Sequence, residues 1–299
     1  MRLGTRGSAL ALAQARLVAD ALGGAEIVPI RTSGDEGSRS GAPGAGGDKA
    51  RFVREIERAL LAGDVDLGVH SAKDLPASLP DELRIAGVPP REETADAYVG
   101  AASSLARVPE GARIGTSSLR RRAQLLAARP DLDVVDVRGN VDTRLGKLAD
   151  GEFDGIVLAA AGLRRLGRED EIGFLFGGEE MTPAAGQGAL ALESRRDDDS
   201  SAAAAAGLSD PTALVEVTAE RAAVAELDAT CRTPVGIHAT LSGDRLRIGA
   251  FVGLPDGSEW VRDTVEGESD DPIAVGREIA DRLLAAGAGG LLERAEARA

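Results

Sequence analysis

The sequence predicts an α/β fold through residues 3–192 and a separate α+β region after residue 212. In the first part, short apolar runs alternate with amphipathic segments of helical period, which favours strands of a largely parallel sheet joined by helices. After residue 212, one helix is followed by segments of alternating polarity that are typical of antiparallel hairpins. A chain of 299 residues with 43% hydrophobic content is long enough to build two or three domain cores.

The first series of elements covers residues 3–70, with strands predicted at 3–5, 26–30 and 67–70 and helices at about 8–22 and 49–61. Ser8 precedes the first helix and is a natural N-cap. Residues 33–50 are too rich in glycine and small polar residues to pack into a core. A stretch of this length inside a compact domain is either a functional lid or a disordered insert.

A second series covers about residues 95–192, with strands predicted at 113–115, 132–137, 155–159 and 189–192 and helices at 118–128, 141–148 and 160–166. Residues 195–211 are predicted to be a connector. The C-terminal region is predicted to contain helices at 212–226 and 273–284 around strands at 237–241, 245–252 and 260–265.

Composition narrows the classes of function. A net charge of −14 and only 2% aromatic residues disfavour binding to nucleic acid or to anionic membranes. Arg2 and Arg6 interrupt the apolar residues at the start of the chain, so neither a secretory signal nor a membrane span is predicted, and we expect a cytoplasmic protein. One cysteine and two histidines rule out a disulfide framework and give no support for a metal site.

The segment GTSSLRRRAQL follows a predicted strand and begins a helix. Thr116 and Ser118 would present hydroxyls there, next to backbone N–H groups at the positive end of the helix dipole. Arg120 and Arg121 lie in the first turn, where cations oppose the dipole. The segment is therefore either an anion-binding site or an ordinary N-cap followed by solvated arginines.

Two further arginine groups follow predicted strands. VRGNVDTRLGKL contains Arg138 and Arg144, and GIVLAAAGLRRLG ends with Arg164 and Arg165. Ligands of open α/β sheets bind at the carboxyl ends of the strands. Arginine at three strand ends of an acidic protein predicts a small ligand with several carboxylates or phosphates.

The segment HSAKDLP contains the best acid/base candidate, Asp74, beside Lys73. A carboxyl group can protonate a leaving group or stabilise a cation when burial and neighbouring charges tune its pKa. The alternative is that Asp74 only caps the turn before Pro76. His70 ends an apolar run and is expected to be a hydrogen-bonded core residue.

The only thiol, Cys231, lies in the polar segment LDATCRTPVG. Structural cysteines usually lie inside apolar runs, so Cys231 is a candidate nucleophile or attachment point. An incidental cysteine is the alternative.

Taken together and in this order, TRGSALALAQA, HSAKDLP, GTSSLRRRAQL, RGNVDTRLGKL, AAAGLRRLG, PAAGQGALALE and CRTPVG resemble the porphobilinogen deaminase (hydroxymethylbilane synthase) family. The resemblance runs from residue 3 to about residue 240. It implies two domains like type II periplasmic binding proteins around a cleft and a smaller C-terminal α+β domain. The implied boundaries are 1–90 with 188–206, 91–187 and 207–299.

The resemblance also implies the chemistry. Four porphobilinogen molecules would be joined head to tail with loss of ammonia to give hydroxymethylbilane, in tetrapyrrole and haem biosynthesis. A dipyrromethane cofactor would be attached to Cys231 by a thioether, and Asp74 would be the catalytic aspartate. The implied cofactor-contacting residues are Cys231, Lys73, Thr116, Ser118, Arg120, Arg121, Arg138, Arg144 and Gln187, and the implied substrate-contacting residues are Arg6, Ser8, Arg138, Arg144 and Arg165. The family suggests a monomer, with no nucleic acid, membrane or metal.

Two segments depart from the family pattern. Ala229 and Thr230 precede Cys231 where glycines are common, and the lid motif reads GGDKARF, with Lys49 and Phe52 near its end.

The rival hypothesis is a non-catalytic solute-binding or sensor protein for a polycarboxylate. Such a protein would need neither Asp74 nor Cys231.

Overall fold

A computed structural model describes residues 1–30, 49–230 and 233–297. Cys231 and residues 33–48 of the predicted lid therefore lie outside the described residues. For residues 49–52, where the lid ends and a helix begins, only the backbone is described. Two compact units are present: unit 1 comprises Met1–Glu92 and Gly188–Leu214, and unit 2 comprises Glu93–Gln187 and Val215–Ala299. The division into three domains stays a prediction.

The strands are β1 (Arg2–Arg6), β2 (Glu26–Ile30), β3 (Leu67–Ser71), β4 (Leu83–Gly87), β5 (Asp96–Gly100), β6 (Arg113–Gly115), β7 (Asp133–Val135), β8 (Gly155–Ala159), β9 (Ile172–Leu175), β10 (Leu190–Arg195), β11 (Val235–Ser242), β12 (Arg245–Gly253) and β13 (Trp260–Glu268). The α-helices are α1 (Ala9–Ala21), α2 (Lys49–Leu61), α3 (Leu119–Ala128), α4 (Val141–Ala149), α5 (Ala160–Arg165), α6 (Asp199–Ala206), α7 (Pro211–Glu226), α8 (Pro272–Ala285) and α9 (Ala288–Glu296). These elements confirm an α/β fold with an α+β region at the C-terminal end.

Unit 1 contains a five-stranded sheet in the order β2-β1-β3-β10-β4. Strand β1 is parallel to both β2 and β3, whereas β10 is antiparallel to β3 and β4. The expectation of a largely parallel sheet is therefore only partly correct, because half of these strand pairs are antiparallel. Local periodicity placed β10 in the second series, because it identifies a strand but not its partners. The family resemblance placed residues 188–206 with residues 1–90, and β10 does pair with β3 and β4 of unit 1.

The predicted connector at residues 195–211 is wrong too. Helix α6 occupies Asp199–Ala206, and Asp198 caps it by accepting a hydrogen bond from the N–H of Ser201 at 3.0 Å. Its run of alanines has no marked polar and apolar faces, and this absence of periodicity made the segment look like a linker. A Cβ on Gly87 would lie 2.2 Å from the carbonyl oxygen of Ala205, so the glycine allows α6 to lie directly against β4.

Unit 2 contains a second five-stranded sheet, in the order β7-β6-β8-β5-β9, with β6 parallel to β7 and β8 and with β5 antiparallel to β8 and β9. Strands β5 and β9 were not predicted. The side chains of β5 alternate between two apolar cores, with Tyr98 in one and Ala97 and Val99 in the other. A strand that is buried on both faces has no polar alternation for the sequence to reveal.

The C-terminal part of unit 2 is an antiparallel sheet in the order β11-β12-β13. Helices α8 and α9 contribute Ile279, Leu283 and Leu291 to its core. Helix α9 was missed by the prediction. It begins directly after Gly287, which has φ +99° and so lets the chain turn sharply after α8.

Candidate active site

Unit 1 has a partly open cavity of about 70 Å³ at the ends of β1 and β3 and the start of α1. Three of the predicted site residues, Arg6, Ser8 and Asp74, line this cavity. Its other lining residues are Leu10, Ala11, Gln14, Val53, Ile56, Val69, His70 and Ser71. The cavity thus combines a carboxyl group, a guanidinium group and a hydroxyl group with an apolar wall.

The carboxyl group of Asp74 is placed by a short turn. Strand β3 leads into a 3₁₀ turn over Ala72–Asp74, and the N–H of Ala72 donates to the carbonyl of Ala189 at 3.0 Å. On the strand's last residue, the Ser71 hydroxyl accepts a hydrogen bond from Nε2 of Gln14 at 2.9 Å. The start of the turn is therefore tied to both β10 and α1. Lys73 lies in the same turn and is half-buried.

Ser8 forms the N-cap that the sequence predicts. Its Oγ accepts a hydrogen bond from the N–H of Ala11 at 3.3 Å, and its backbone is extended. The hydroxyl also lines the cavity. The start of α1 therefore brings a polar group and the positive end of a helix dipole to the wall of this cavity.

In unit 2, Arg120 and Arg121 converge on one fully buried carboxylate, Asp96. Oδ2 of Asp96 lies 2.6 Å from Nη1 of Arg120, and its Oδ1 lies 2.8 Å from Nε of Arg121. Burial alone would raise the pKa of Asp96, but the two guanidinium charges outweigh it and hold that pKa well below its ordinary value. Asp96 is therefore ionised and joins the two arginines.

This pairing explains why arginines occupy the first turn of α3. They are buried, with 4% and 6% of their surfaces exposed. Asp96 supplies a negative charge near the N-terminus of α3, where the helix dipole favours one. The alternative of solvated arginines is excluded by this burial. Gln187 belongs to the same cluster, because its Nε2 donates to Oδ1 of Asp96 at 3.0 Å.

Sequence reasoning missed Asp96. One signal was available, since Asp96 is an acidic residue at the start of the apolar segment DAYVG. Such a residue requires a partner when the strand is buried, and α3 holds the nearest arginine cluster along the chain.

Thr116 and Ser118 form the cap of α3. Oγ1 of the buried Thr116 accepts from the N–H of Ser118 at 3.3 Å, and Oγ of Ser118 accepts from the N–H of Arg121 at 3.4 Å. Both long bonds occupy N–H groups at the helix start, as the N-cap interpretation predicts. The hydroxyl protons of both residues are donors that this capping does not use.

Arg144 provides the clearest sign of an anion site. It is half-buried, and its Nε donates to the carbonyl of Gly139 at 2.8 Å. Burial, and to a smaller extent the charge of Arg121, lower its pKa to about 10, although Asp136 opposes the shift. Within the described part of the chain, no carboxylate lies within ion-pair distance of Arg144. Asp96 directly compensates the charge of Arg121, whereas Arg144 has no such partner, so an incoming anion would be stabilised at Arg144.

The remaining arginines are placed differently. Arg138 follows β7 and is exposed, and its Nη2 lies 3.8 Å from Oδ2 of Asp136. Arg165 is in the last turn of α5, within the helix predicted at residues 160–166, and so does not lie at the carboxyl end of β8 itself. The helix begins directly at Ala160 and carries Arg165 more than one turn beyond the strand.

Several predicted features lie outside the described residues: Cys231, the residues of the lid up to 48, and the side chains of Lys49 and Phe52. The neighbours of Cys231 are described. Ala229 is buried in the C-terminal core, and the N–H of Thr230 donates to Oγ1 of Thr233 at 3.0 Å. The methyl group of Ala229 therefore has a packing role that glycine would not fulfil.

The described ranges 1–30, 49–230 and 233–297 contain no group of three histidine, cysteine or carboxylate side chains arranged to hold a metal ion. None of their helices combines the length and apolar character that crossing a membrane requires.

The unit 1 cavity residues and the arginine cluster of unit 2 both lie in sequence that resembles known proteins. Residues 1–203 match the family model described as porphobilinogen deaminase, dipyromethane cofactor binding domain, and residues 214–285 match porphobilinogen deaminase, C-terminal domain. The porphobilinogen deaminase of Roseiflexus castenholzii is 47% identical, covering 98% of each chain. That of Syntrophus aciditrophicus is 46% identical, covering 99% of each chain.

The first of these models spans residues 1–203, which include both the residues that line the unit 1 cavity and the arginine cluster of unit 2. The relatives extend that similarity over almost the full length of both chains. The chain therefore belongs to the porphobilinogen deaminase family.

Proposed function

We propose that this chain joins four porphobilinogen molecules head to tail, with loss of ammonia at each step, and releases hydroxymethylbilane. The observation that carries the proposal is the cavity in which Asp74 lies with Arg6 and Ser8. Porphobilinogen has an aminomethyl group that must leave and two carboxylates that must be held. The cavity offers one group for the first task and two for the second.

Asp74 serves the breaking of the carbon–nitrogen bond. Its carboxyl group donates a proton as the amine leaves as ammonia, and the resulting carboxylate then faces the azafulvenium cation derived from the substrate. When the terminal pyrrole carbon forms the new carbon–carbon bond, it loses a proton, which restores the aromatic ring. A single carboxyl group can thus donate and recover one proton in each cycle.

Arginines and hydroxyls hold the acetate and propionate groups of the pyrroles. Guanidinium groups suit this task, because they form paired hydrogen bonds with carboxylates and stay charged at every physiological pH. Arg6 and Ser8 would serve in unit 1, and Thr116, Ser118, Arg138, Arg144 and Arg165 in unit 2. Arg120, Arg121 and Gln187 would contribute mainly through Asp96, which holds them in place.

The dipyrromethane cofactor fits the residues of unit 2. Arg144 is a half-buried cation beside a second cation, which is the environment that a bound carboxylate stabilises. When bound, the cofactor supplies the pyrrole carbon to which the first substrate unit is joined. We propose that Cys231 holds it through a thioether, with the sulfur bonded to the methylene carbon that loses ammonia. The supporting observation is that the sequence contains one cysteine, within the polar segment LDATCRTPVG.

The assay that tests this function uses the purified full-length chain with porphobilinogen in excess. We expect one ammonia for each porphobilinogen consumed and one linear tetrapyrrole for every four, because each carbon–carbon bond requires the loss of one amine. Binding of porphobilinogen without release of ammonia would contradict the proposal and would favour the binding-protein alternative.

The intact mass of the purified protein tests the cofactor. We expect a mass greater than the 30.7 kDa of the sequence by one dipyrromethane unit, and the sequence mass alone for Cys231→Ser. Intact-protein mass spectrometry measures both. The serine variant is a matched control, since it changes a single atom at the chain's only thiol. An active protein with no added mass would refute the thioether.

A further inference from the structure

Residues 182–187, which we call the strap, contact both the C-terminal sheet of unit 2 and the arginine cluster of Asp96, Arg120 and Arg121. On the side of the sheet, the N–H of Ile237 on β11 donates to the carbonyl oxygen of Pro183 at 2.8 Å. A Cβ on the preceding residue of β11, a glycine at position 236, would lie 2.6 Å from the carbonyl oxygen of the first strap residue. The strap therefore lies directly against β11.

The strap supplies partners to the arginine cluster from both of its ends. At its first residue, the carbonyl oxygen of Thr182 accepts a hydrogen bond from Nη1 of Arg120 at 2.8 Å. At its last residue, Nε2 of Gln187 donates to Oδ1 of Asp96 at 3.0 Å. The same carboxylate oxygen accepts from Nε of Arg121 at 2.8 Å. A displacement of the strap would therefore change the contacts of both arginines.

Gln124 on α3 holds the first end of the strap. Its Oε1 accepts from the N–H of Thr182 at 2.7 Å, and its Nε2 donates to the carbonyl oxygen of Thr182 at 3.0 Å. This double hydrogen bond to one residue is the pattern that a neighbouring β-strand would provide. Gln124 is 2% exposed and lies one helical turn after Arg120, so the two side chains bind the same carbonyl oxygen.

Glu220 on α7 holds the other end. Its Oε2 accepts from the N–H of Gly186 at 2.6 Å, and its Oε1 accepts from the N–H of Ala239 on β11 at 2.8 Å. The side chain is completely buried. Gly186 has φ +71°, a conformation that favours glycine, and it directly precedes the strap residue that binds Asp96. One carboxylate thus joins the end of the strap to the sheet.

We propose that Gln124 and Glu220 are positioning residues for the arginine cluster. They fix the two ends of the strap, and the strap in turn fixes the carboxylate of Asp96 against the guanidinium group of Arg121. The charge of Arg121 acts on Arg144, the candidate anion-binding residue, so a displaced cluster would hold a pyrrole carboxylate less well. This last consequence rests on the proposed function, whereas the positioning itself does not.

The exchange of the Arg121 Nε–H proton with solvent tests the positioning without any assay of activity. Nuclear magnetic resonance of the full-length chain measures it, together with exchange of the amide proton of Ile279, a completely buried residue of α8. A general loss of stability would raise both rates by the same factor, whereas local loosening of the cluster would raise only the Arg121 rate. The ratio of the two rates is therefore the quantity that a merely structural role would not change.

Glu220→Gln is expected to raise this ratio about tenfold, because an amide has one acceptor oxygen and leaves one of the two buried N–H groups without a partner. Gln124→Met removes both hydrogen bonds at the first end of the strap and keeps an unbranched side chain that suits a helix. It should raise the ratio by a similar factor. Gln124→Met also decides the proposal if Glu220→Gln does not fold, which thermal unfolding shows.

Glu216→Gln is the matched control. Glu216 is a buried carboxyl group one turn earlier on α7, and its Oε1 accepts from the N–H of Leu241 at 3.0 Å. It therefore joins the same helix to the same strand, two residues beyond Ala239, and its substitution should leave the ratio unchanged. An equal rise in Glu216→Gln and Glu220→Gln would overturn the proposal. A ratio that stays at the parent value in Gln124→Met would also overturn it.

The intact mass tests the consequence for the cofactor. The fraction of Glu220→Gln molecules that carry the dipyrromethane unit should be lower than that of Glu216→Gln by at least about twofold, because the carboxylates of the cofactor are held less well. Full loading of Glu220→Gln would refute this consequence. A parent chain without added mass would instead contradict the proposed cofactor, and the exchange of the Arg121 proton would still decide the positioning.

Discussion

Asp74→Asn is expected to lower the rate of porphobilinogen consumption by a factor of roughly a thousand, within the range of a lost general acid. Asparagine keeps the shape of the side chain but can neither donate a carboxyl proton to the leaving amine nor balance the azafulvenium charge. Asp74 is half-buried in a turn held by Ser71 and Ala72, so the fold should be retained. Ammonia release under excess substrate measures the effect.

Asp81→Asn is the matched control for this substitution, since Asp81 is an exposed carboxylate in the same unit. It should retain the parent rate. If Asp74→Asn also turned over porphobilinogen at close to the parent rate, with unfolding unchanged, the catalytic assignment of Asp74 would be wrong.

Asp96→Asn is expected to reduce the free energy of unfolding of the chain by about 3–5 kcal/mol, the usual loss when one partner of a buried ion pair is removed. Asp96 is completely buried and bonds to both Arg120 and Arg121. The neutral amide would leave two buried guanidinium groups without a compensating charge. Urea unfolding, with signals from both units followed separately, measures the loss.

Asp133→Asn removes the exposed ion pair with Arg113 on a neighbouring strand and is the control. It should change stability by less than about 1 kcal/mol, because solvent screens exposed pairs. Equal effects of the two substitutions would show that the Asp96 cluster does not hold unit 2 together.

The pKa of Asp96 also implies a pH dependence. Because that pKa is depressed in the folded chain, the stabilisation is complete above the ordinary pKa of an aspartate and is lost as the pH falls toward the folded value. Asp96→Asn should therefore lose most of its stability difference from the parent chain in strong acid.

Local patterns predicted many elements accurately. The bounds of β2, β6, β8 and α2 agree with the prediction, because each is a short apolar run or an amphipathic period bounded by residues that end such structures. The N-caps Ser8 and Ser118 were equally predictable, since capping depends on neighbours three residues away. The missed strands β4, β5 and β9 required knowledge of what packs against them.

For the candidate site, too, the sequence predicted some features and not others. The sequence identified the residue types and motifs that bind carboxylates and move protons, and it placed Asp74 after a strand. It did not reveal that Arg120 and Arg121 bind Asp96, 24 and 25 residues earlier. It also did not reveal that His70 meets Glu193.

By itself, then, the sequence determined the helices and strands with a clear period, their caps and the set of groups available for chemistry, all of which depend on residues close together in the chain. The tertiary structure alone decided which strands pair, which arginines are neutralised and which remain available to an anion. These outcomes depend on burial and on contacts between distant segments. The electrostatic free energy of a side chain changes by several kcal/mol according to the charges that folding brings near it.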